Sequence, residues 1–169
     1  MSVESNNQAV YRTAESVSPK HPDKICDQIS DAILDAYLAK DPQARVAIEA
    51  CGGHGALFLT GEVSSSELVD VKQIARRLAG DVEIIERIAR QSPEIAQGVD
   101  AGGAGDQGVM IGYACAETPE LLPLEYALAR ALNRFLYEKW PYDGKTQVTT
   151  YGGQIAAIVA SFQNAPHDE

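Results

Sequence analysis

The sequence predicts an α+β fold of sheets covered by helices. Three observations predict it: an amphipathic helix over residues 22–40, two glycine-centred strand pairs over 45–63 and 145–162, and no regular βαβ alternation between them. In the first helix Ile25, Ile29, Ile33 and Tyr37 recur every fourth residue, and Leu34 and Leu38 widen the stripe. Asp23, Asp27, Asp31 and Asp35 make a second stripe on roughly the opposite side, a solvated face. Pro22 suits the first turn, where its missing N–H costs nothing, and Asp23 complements the helix dipole. Pro42 then disfavours helical geometry at Asp41.

"RVAIEACGGHGALFLTGEV" reads as strand, glycine turn, strand, with His54 as an exposed turn residue and two carboxylates, Glu49 and Glu62, inside otherwise apolar strands. A second helix is expected from the capping box Ser64–Glu67 through Leu68, Val71, Ala75 and Leu78 to Gly80. "DVEIIERIAR" fits helix or strand equally. Residues 91–108 carry too much Gly, Pro and polar content for a regular element and read as a long loop, while "VMIGYACA" alternates as a strand should. Thr118 and Pro119 open a helix ending near Trp140, and a second hairpin turns at Gly152 and Gly153. Its apolar run to Phe162 is followed at once by a polar end, so the chain is expected to be cut short.

With 169 residues and 45% hydrophobic content, the chain can bury one core, or one domain and part of another. A net charge of −10 argues against nucleic acid or an anionic membrane as main partner, yet allows one nucleotide whose phosphates a divalent metal neutralises. No apolar run is long enough to span a bilayer and the first ten residues lack signal-peptide character, so a cytoplasmic protein is expected. Cys26, Cys51 and Cys115 form no CxxC pair and read as reduced core thiols.

Three stretches have the residue types for chemistry. In "SPKHPDK", His21 and Lys24 make a cation pair beside a helix N-terminus, which suits an arriving phosphate, and Asp23 suits the magnesium that accompanies polyphosphate; a plain helix start accounts for Pro22 and Asp23 equally well. "GGAGDQG" permits close backbone approach to a ligand beside Asp106 and Gln107, or a tight turn; it has neither P-loop nor Rossmann spacing. In "PYDGKTQVT", Asp143-Gly144 is a turn pair, and Lys145 is either a solvated lysine or a point charge aimed at phosphate.

Taken together and in order, "ESVSPKHPDKICDQISDAILDAYL", "DPQARVAIEA", "TGEVSSSELVDV", "QSPEIAQGVD", "GAGDQGVMIGYACAET" and "DGKTQVT" resemble the S-adenosylmethionine synthetases, or methionine adenosyltransferases, over about 13–161. The resemblance implies an enzyme that makes S-adenosylmethionine from ATP and methionine, then hydrolyses the tripolyphosphate to phosphate and pyrophosphate. It implies catalytic roles for His21 and Lys145, ATP contacts from His21, Asp143, Gly144 and Lys145, and methionine contacts from Glu62, Gln91 and Asp106. Asp23 matches the Mg²⁺ position and Glu49 the K⁺ position, and residues 91–103 match a gating loop. The family fold is three sheet-plus-helix domains about a pseudo-threefold axis. This chain would supply a flexible N-terminus (1–12), the first domain (13–108) and part of the central one (109–169), with the C-terminal domain absent and a homodimer or dimer of dimers expected for the intact protein. Lys20 stands where the family usually has glycine, and both the gating loop and the stretch before "RQSPEI" are abbreviated. Further phosphate-binding lysines, an arginine and a metal-binding aspartate of the family's second half have no counterpart. An alternative is a non-catalytic short paralogue that binds nucleotide or pairs with a full-length subunit; another is a structural fragment exposing an unfinished sheet.

Overall fold

The computed structural model describes residues 9–100, 102–104 and 107–166. In chain order the elements are β1 (Tyr11–Val17), α1 (Pro22–Leu38), β2 (Arg45–Gly53), β3 (Ala56–Ser64), α2 (Val71–Ala79), β4 (Glu83–Arg90), α3 (Pro93–Asp100), α4 (Leu124–Lys139), β5 (Gly144–Tyr151) and β6 (Gln154–Phe162). The α+β expectation is borne out. The elements divide into two compact units: Pro22–Met110, and the residues up to His21 with those from Ile111 on.

In the unit Pro22–Met110 the sheet order is β2-β3-β4. The β2–β3 pair is the expected antiparallel hairpin, turning at His54 and Gly55, both at positive φ. β4 pairs parallel to β3, with α2 as the crossover. The described residues therefore include a βαβ unit that the sequence pattern did not reveal. Ile84 and Ile88 fall four apart, as on a helix, and only their partial burial against one sheet face, with Ile85 and Arg87 exposed on the other, shows the strand. Ile29, Ile33 and Tyr37 of α1 are buried with Ile48, Leu57 and Leu59 of the hairpin and Val71 and Ala75 of α2. The α1 stripe read from the sequence is thus the core face.

Ser64 ends β3 rather than starting a helix. α2 begins at Val71, capped by Asp70, whose side chain accepts from the Gln73 N–H at 2.9 Å. The two serines after Ser64 instead serve Asp41, which accepts from the Ser66 N–H at 3.0 Å and the Ser65 hydroxyl at 2.9 Å. Those donors, with the Gln43 N–H, hold the Asp41 carboxyl below the usual carboxylate range. Residues 93–100 form a helix where a loop was expected. Burial pushes the Cys26 thiol up, as a reduced half-buried cysteine requires, whereas Cys51 is exposed on the sheet rather than in the core.

The other unit has a sheet of order β1-β5-β6, antiparallel throughout, with α4 packed on β1 and β5. The strand β1 begins at Tyr11, inside the stretch 1–12 expected as flexible. Alternate residues of β5, Gly144, Thr146, Val148 and Thr150, are buried. This face is small and polar, so its fit to α4 depends on hydrogen bonds: Thr146 Oγ1 donates to the Ala129 carbonyl at 2.7 Å, and Asn133 Nδ2 to the Ser16 carbonyl at 3.0 Å. Arg12 on β1 grips both oxygens of Glu117 at 2.9 and 3.0 Å and donates to Glu125 at 3.0 Å. Arg12 in turn lowers the Glu117 carboxyl, an effect reinforced by the Leu124 N–H.

Two expectations fail here. The helix α4 opens at Leu124, because the Thr118 hydroxyl is engaged with the Leu122 carbonyl and N–H in a preceding turn. Residues 109–116 form no strand; Val109, Met110 and Ile111 are about nine-tenths exposed. Alternation alone does not make a strand where no neighbouring edge accepts it.

Gly61 constrains β3 most tightly. It sits at φ 135°, and an added Cβ would lie 1.9 Å from the Ala47 carbonyl oxygen. Gly61→Ala should cost about 3 kcal/mol in urea unfolding, whereas Gly53→Ala, whose added Cβ meets nothing within 4 Å, should cost little. A second expectation concerns pH. Asp41 and Glu117 are depressed in the folded chain, so their stabilisation is complete above the ordinary carboxylate pKa and is lost as pH falls through the lower folded values. Stability measured between about pH 5 and about pH 2 should fall less steeply in the Asp41→Asn, Glu117→Gln double variant.

Candidate functional site

Ser18 builds the first candidate site. It is fully buried, and its hydroxyl donates to the Tyr142 carbonyl at 2.9 Å while accepting from the Gly144 N–H at 3.0 Å. Its own N–H donates to the Gly144 carbonyl at 2.8 Å, and its carbonyl accepts from the His21 N–H at 3.0 Å. One serine thus ties the turn that carries His21 to the turn that carries Asp143 and Gly144. The resulting pocket of about 340 Å³ is lined by His21, Asp143, Gly144, Lys145, Ser161 and Phe162, with Gln163. The structure therefore brings four of the sequence-predicted residues together.

Gly144 is glycine for lack of room: an added Cβ would come within 2.3 Å of the Phe162 ring. Lys145 follows it on the exposed side of β5, in register with Val17 and Ser161. Its Nζ pairs with Glu15 at 2.9 Å; both side chains are about half exposed, and such a pair is weak in water. Lys20, two residues after Ser18, is exposed.

The second candidate site lies on the sheet face of the unit Pro22–Met110 opposite α1 and α2. Strand alternation and register place Arg45, Ala47 and Glu49 of β2 on this face with Thr60, Glu62 and Ser64 of β3 and Arg87 and Ala89 of β4. Gln91 continues the same alternation just past β4, and its N–H donates to the Val63 carbonyl at 3.3 Å. Glu49 and Glu62 are therefore carboxylates of an open face rather than of the core. Beside Gln91 is a cleft of about 840 Å³, lined by Arg45, Ser64, Gln91 and Asp100 among others.

Asp23 stands exposed in the first turn of α1. Among the described residues, no group of three or more His, Cys, Asp or Glu gathers as a metal cluster. Asp106 lies outside the described residues. Sequence reading missed Ser18, Glu15 and Arg45. Ser18 precedes Pro19 and reads as a turn serine, since its partners are more than 120 residues away.

Known proteins place this geometry in context. Residues 9–96 match a family model described as the N-terminal domain of S-adenosylmethionine synthetase, and residues 101–169 match the central domain of the same family. The chain is 45% identical over 171 residues to the S-adenosylmethionine synthase of Synechococcus sp. (strain RCC307), covering 81% of this chain and 42% of that protein. With the S-adenosylmethionine synthase of Nocardia farcinica (strain IFM 10152) the identity is 42% over 195 residues, covering 90% of this chain and 48% of the relative. The chain thus spans less than half the length of these curated relatives.

The hydroxyl of Ser18 is expected to matter more than its size. Ser18→Ala leaves the Gly144 N–H without its side-chain acceptor, at a cost of about 1–3 kcal/mol. The thermal midpoint should fall, and the His21 imidazole resonances should shift in an NMR spectrum if the two turns come apart.

Proposed function

Because the chain belongs to the S-adenosylmethionine synthetase family, we propose that it supplies the ATP and methionine contacts of a methionine adenosyltransferase, the enzyme that joins the two and cleaves the released tripolyphosphate to phosphate and pyrophosphate. The observation that carries the reading is the pocket in which His21 and Lys145 converge beside the Gly144 backbone. Displacement at the ribose C5′ by the methionine sulfur requires the two atoms held in line and the charge growing on the leaving tripolyphosphate neutralised.

His21 and Lys145 would donate to phosphate oxygens, and the positioned turn of Asp143 and Gly144 would orient the nucleotide. The Lys145–Glu15 pair supports this role, because an exposed ion pair is readily exchanged for a more highly charged phosphate. Mg²⁺, when bound, would neutralise part of the triphosphate charge. Asp23, exposed in the first turn of α1, would hold that ion through one carboxylate, since Mg²⁺ on a polyphosphate takes most of its ligands from phosphate and water. Glu49 would serve K⁺ on the open sheet face. Glu62 and Gln91, on that same face, would hold methionine, joined by Asp106. We further read residues 13–108 as the N-terminal domain and 109–169 as part of the central one, in a cytoplasmic protein of one-carbon metabolism that is a homodimer or dimer of dimers when intact.

Calorimetric titration with Mg·ATP tests the pocket. His21→Ala and Lys145→Ala should each weaken binding about tenfold or more, whereas Glu15→Gln should tighten it slightly. Equal affinity in all three variants and the parent would remove the phosphate assignment. Incubation with ATP, methionine, Mg²⁺ and K⁺, followed by mass spectrometry for S-adenosylmethionine, then asks whether the chain turns over; nucleotide binding without product favours the short nucleotide-binding form.

A further inference from the structure

We propose that Arg45 is a positioning residue that ties the Gln91 side chain to the C-terminal end of α3, so that the amino-acid contact and the segment 91–100 become ordered together. This rests on the reading of Gln91 as a methionine contact.

Arg45 opens β2 opposite Ser64, and Gln91 lies beside Ser64 on the far side of β3. The short serine lets the guanidinium lie across the sheet end. There one nitrogen, Nη1, donates to Gln91 Oε1 at 3.4 Å and the other, Nη2, donates to Asp100 Oδ1. A guanidinium has only donors, so the amide atom facing Arg45 has to be the oxygen. The Gln91 nitrogen is thereby left to present two N–H donors, which suit the carboxylate of an amino acid.

The second partner needs this contact. Asp100 is the last residue of an eight-residue helix with no basic residue in its last turn, where a carboxylate opposes the helix dipole. So short a helix is marginal by itself. Arg45 compensates the misplaced charge from outside the helix. Its side chain is about one-third exposed and that of Asp100 about two-thirds, so the ion pair is modest and able to open. The fork, not the charge alone, is what joins two partners at one residue.

Hydrogen–deuterium exchange of the 169-residue chain tests the tether without requiring turnover. Arg45→Ala should speed exchange of the amides of 91–100 about three- to fivefold; Asp100→Asn, which removes the opposed charge together with the ion pair, should speed it less, and the double variant should be no faster than Arg45→Ala alone. Arg45→Lys should restore only part of the protection, because an ammonium does not reproduce the planar fork. Unchanged exchange in both Arg45→Ala and Asp100→Asn overturns the proposal. Added L-methionine should slow exchange across 91–100 in the parent and fail to do so in Arg45→Ala. If methionine changes nothing in the parent while the variants still exchange faster, the tether stands and the assignment of Gln91 to methionine falls.

Discussion

The four hydrogen bonds of Ser18 are the constraint on which the pocket of His21 and Lys145 depends. They are made by one buried residue, to one turn more than 120 residues away and to its own, and they fix a histidine and a lysine that no regular element would otherwise juxtapose. A buried serine with hydroxyl, N–H and carbonyl all engaged leaves no polar group unsatisfied, and so costs nothing in desolvation that its partners do not offset. Phe162 closes the same arrangement from β6, pressing on a position where only glycine fits. The site is thus set by backbone groups and one hydroxyl, with the charged side chains added at its rim.

The open sheet face of the other unit works by a different logic. There the core side is saturated by aliphatic contact with α1 and α2, which fixes the register of β2, β3 and β4. Side-chain alternation then delivers Glu49, Glu62 and Gln91 to one surface without any further device. Gly61 supports this placement next to Glu62, letting the backbones of β2 and β3 approach where a side chain would separate them.

The legible part of the fold was the part governed by periodicity. The α1 stripe, both hairpins and the last long helix follow from spacing within one segment. What escaped depended on partners distant in sequence. β1 becomes a strand through its pairing with β5, as in Thr13 opposite Thr149. The strand nature of 83–90 is fixed by parallel pairing to β3, and the strand expected at 109–116 does not form. Of the candidate site, His21, Asp143, Gly144 and Lys145 were legible as motif residues and are gathered by the fold. The residues that hold such groups in place, Ser18 and Arg45, were not legible, since a serine before proline and an arginine opening a strand have many ordinary uses.

The pairing of β1 with β5 also orders the events of synthesis. All of Pro22–Met110 emerges from the ribosome between these two strands, so β1 has no hydrogen-bonding partner until more than 120 further residues have been made. Pro22–Met110 contains its own core and all three strands of its sheet, and so has what it needs to fold first. The sheet containing β1 is left with a late, high-contact-order step in which a long loop is closed. A nascent chain stalled before residue 144 would therefore hold a finished open sheet face with Glu49, Glu62 and Gln91 and an unassembled pocket around His21, with Ser18 still waiting for the glycine that completes it.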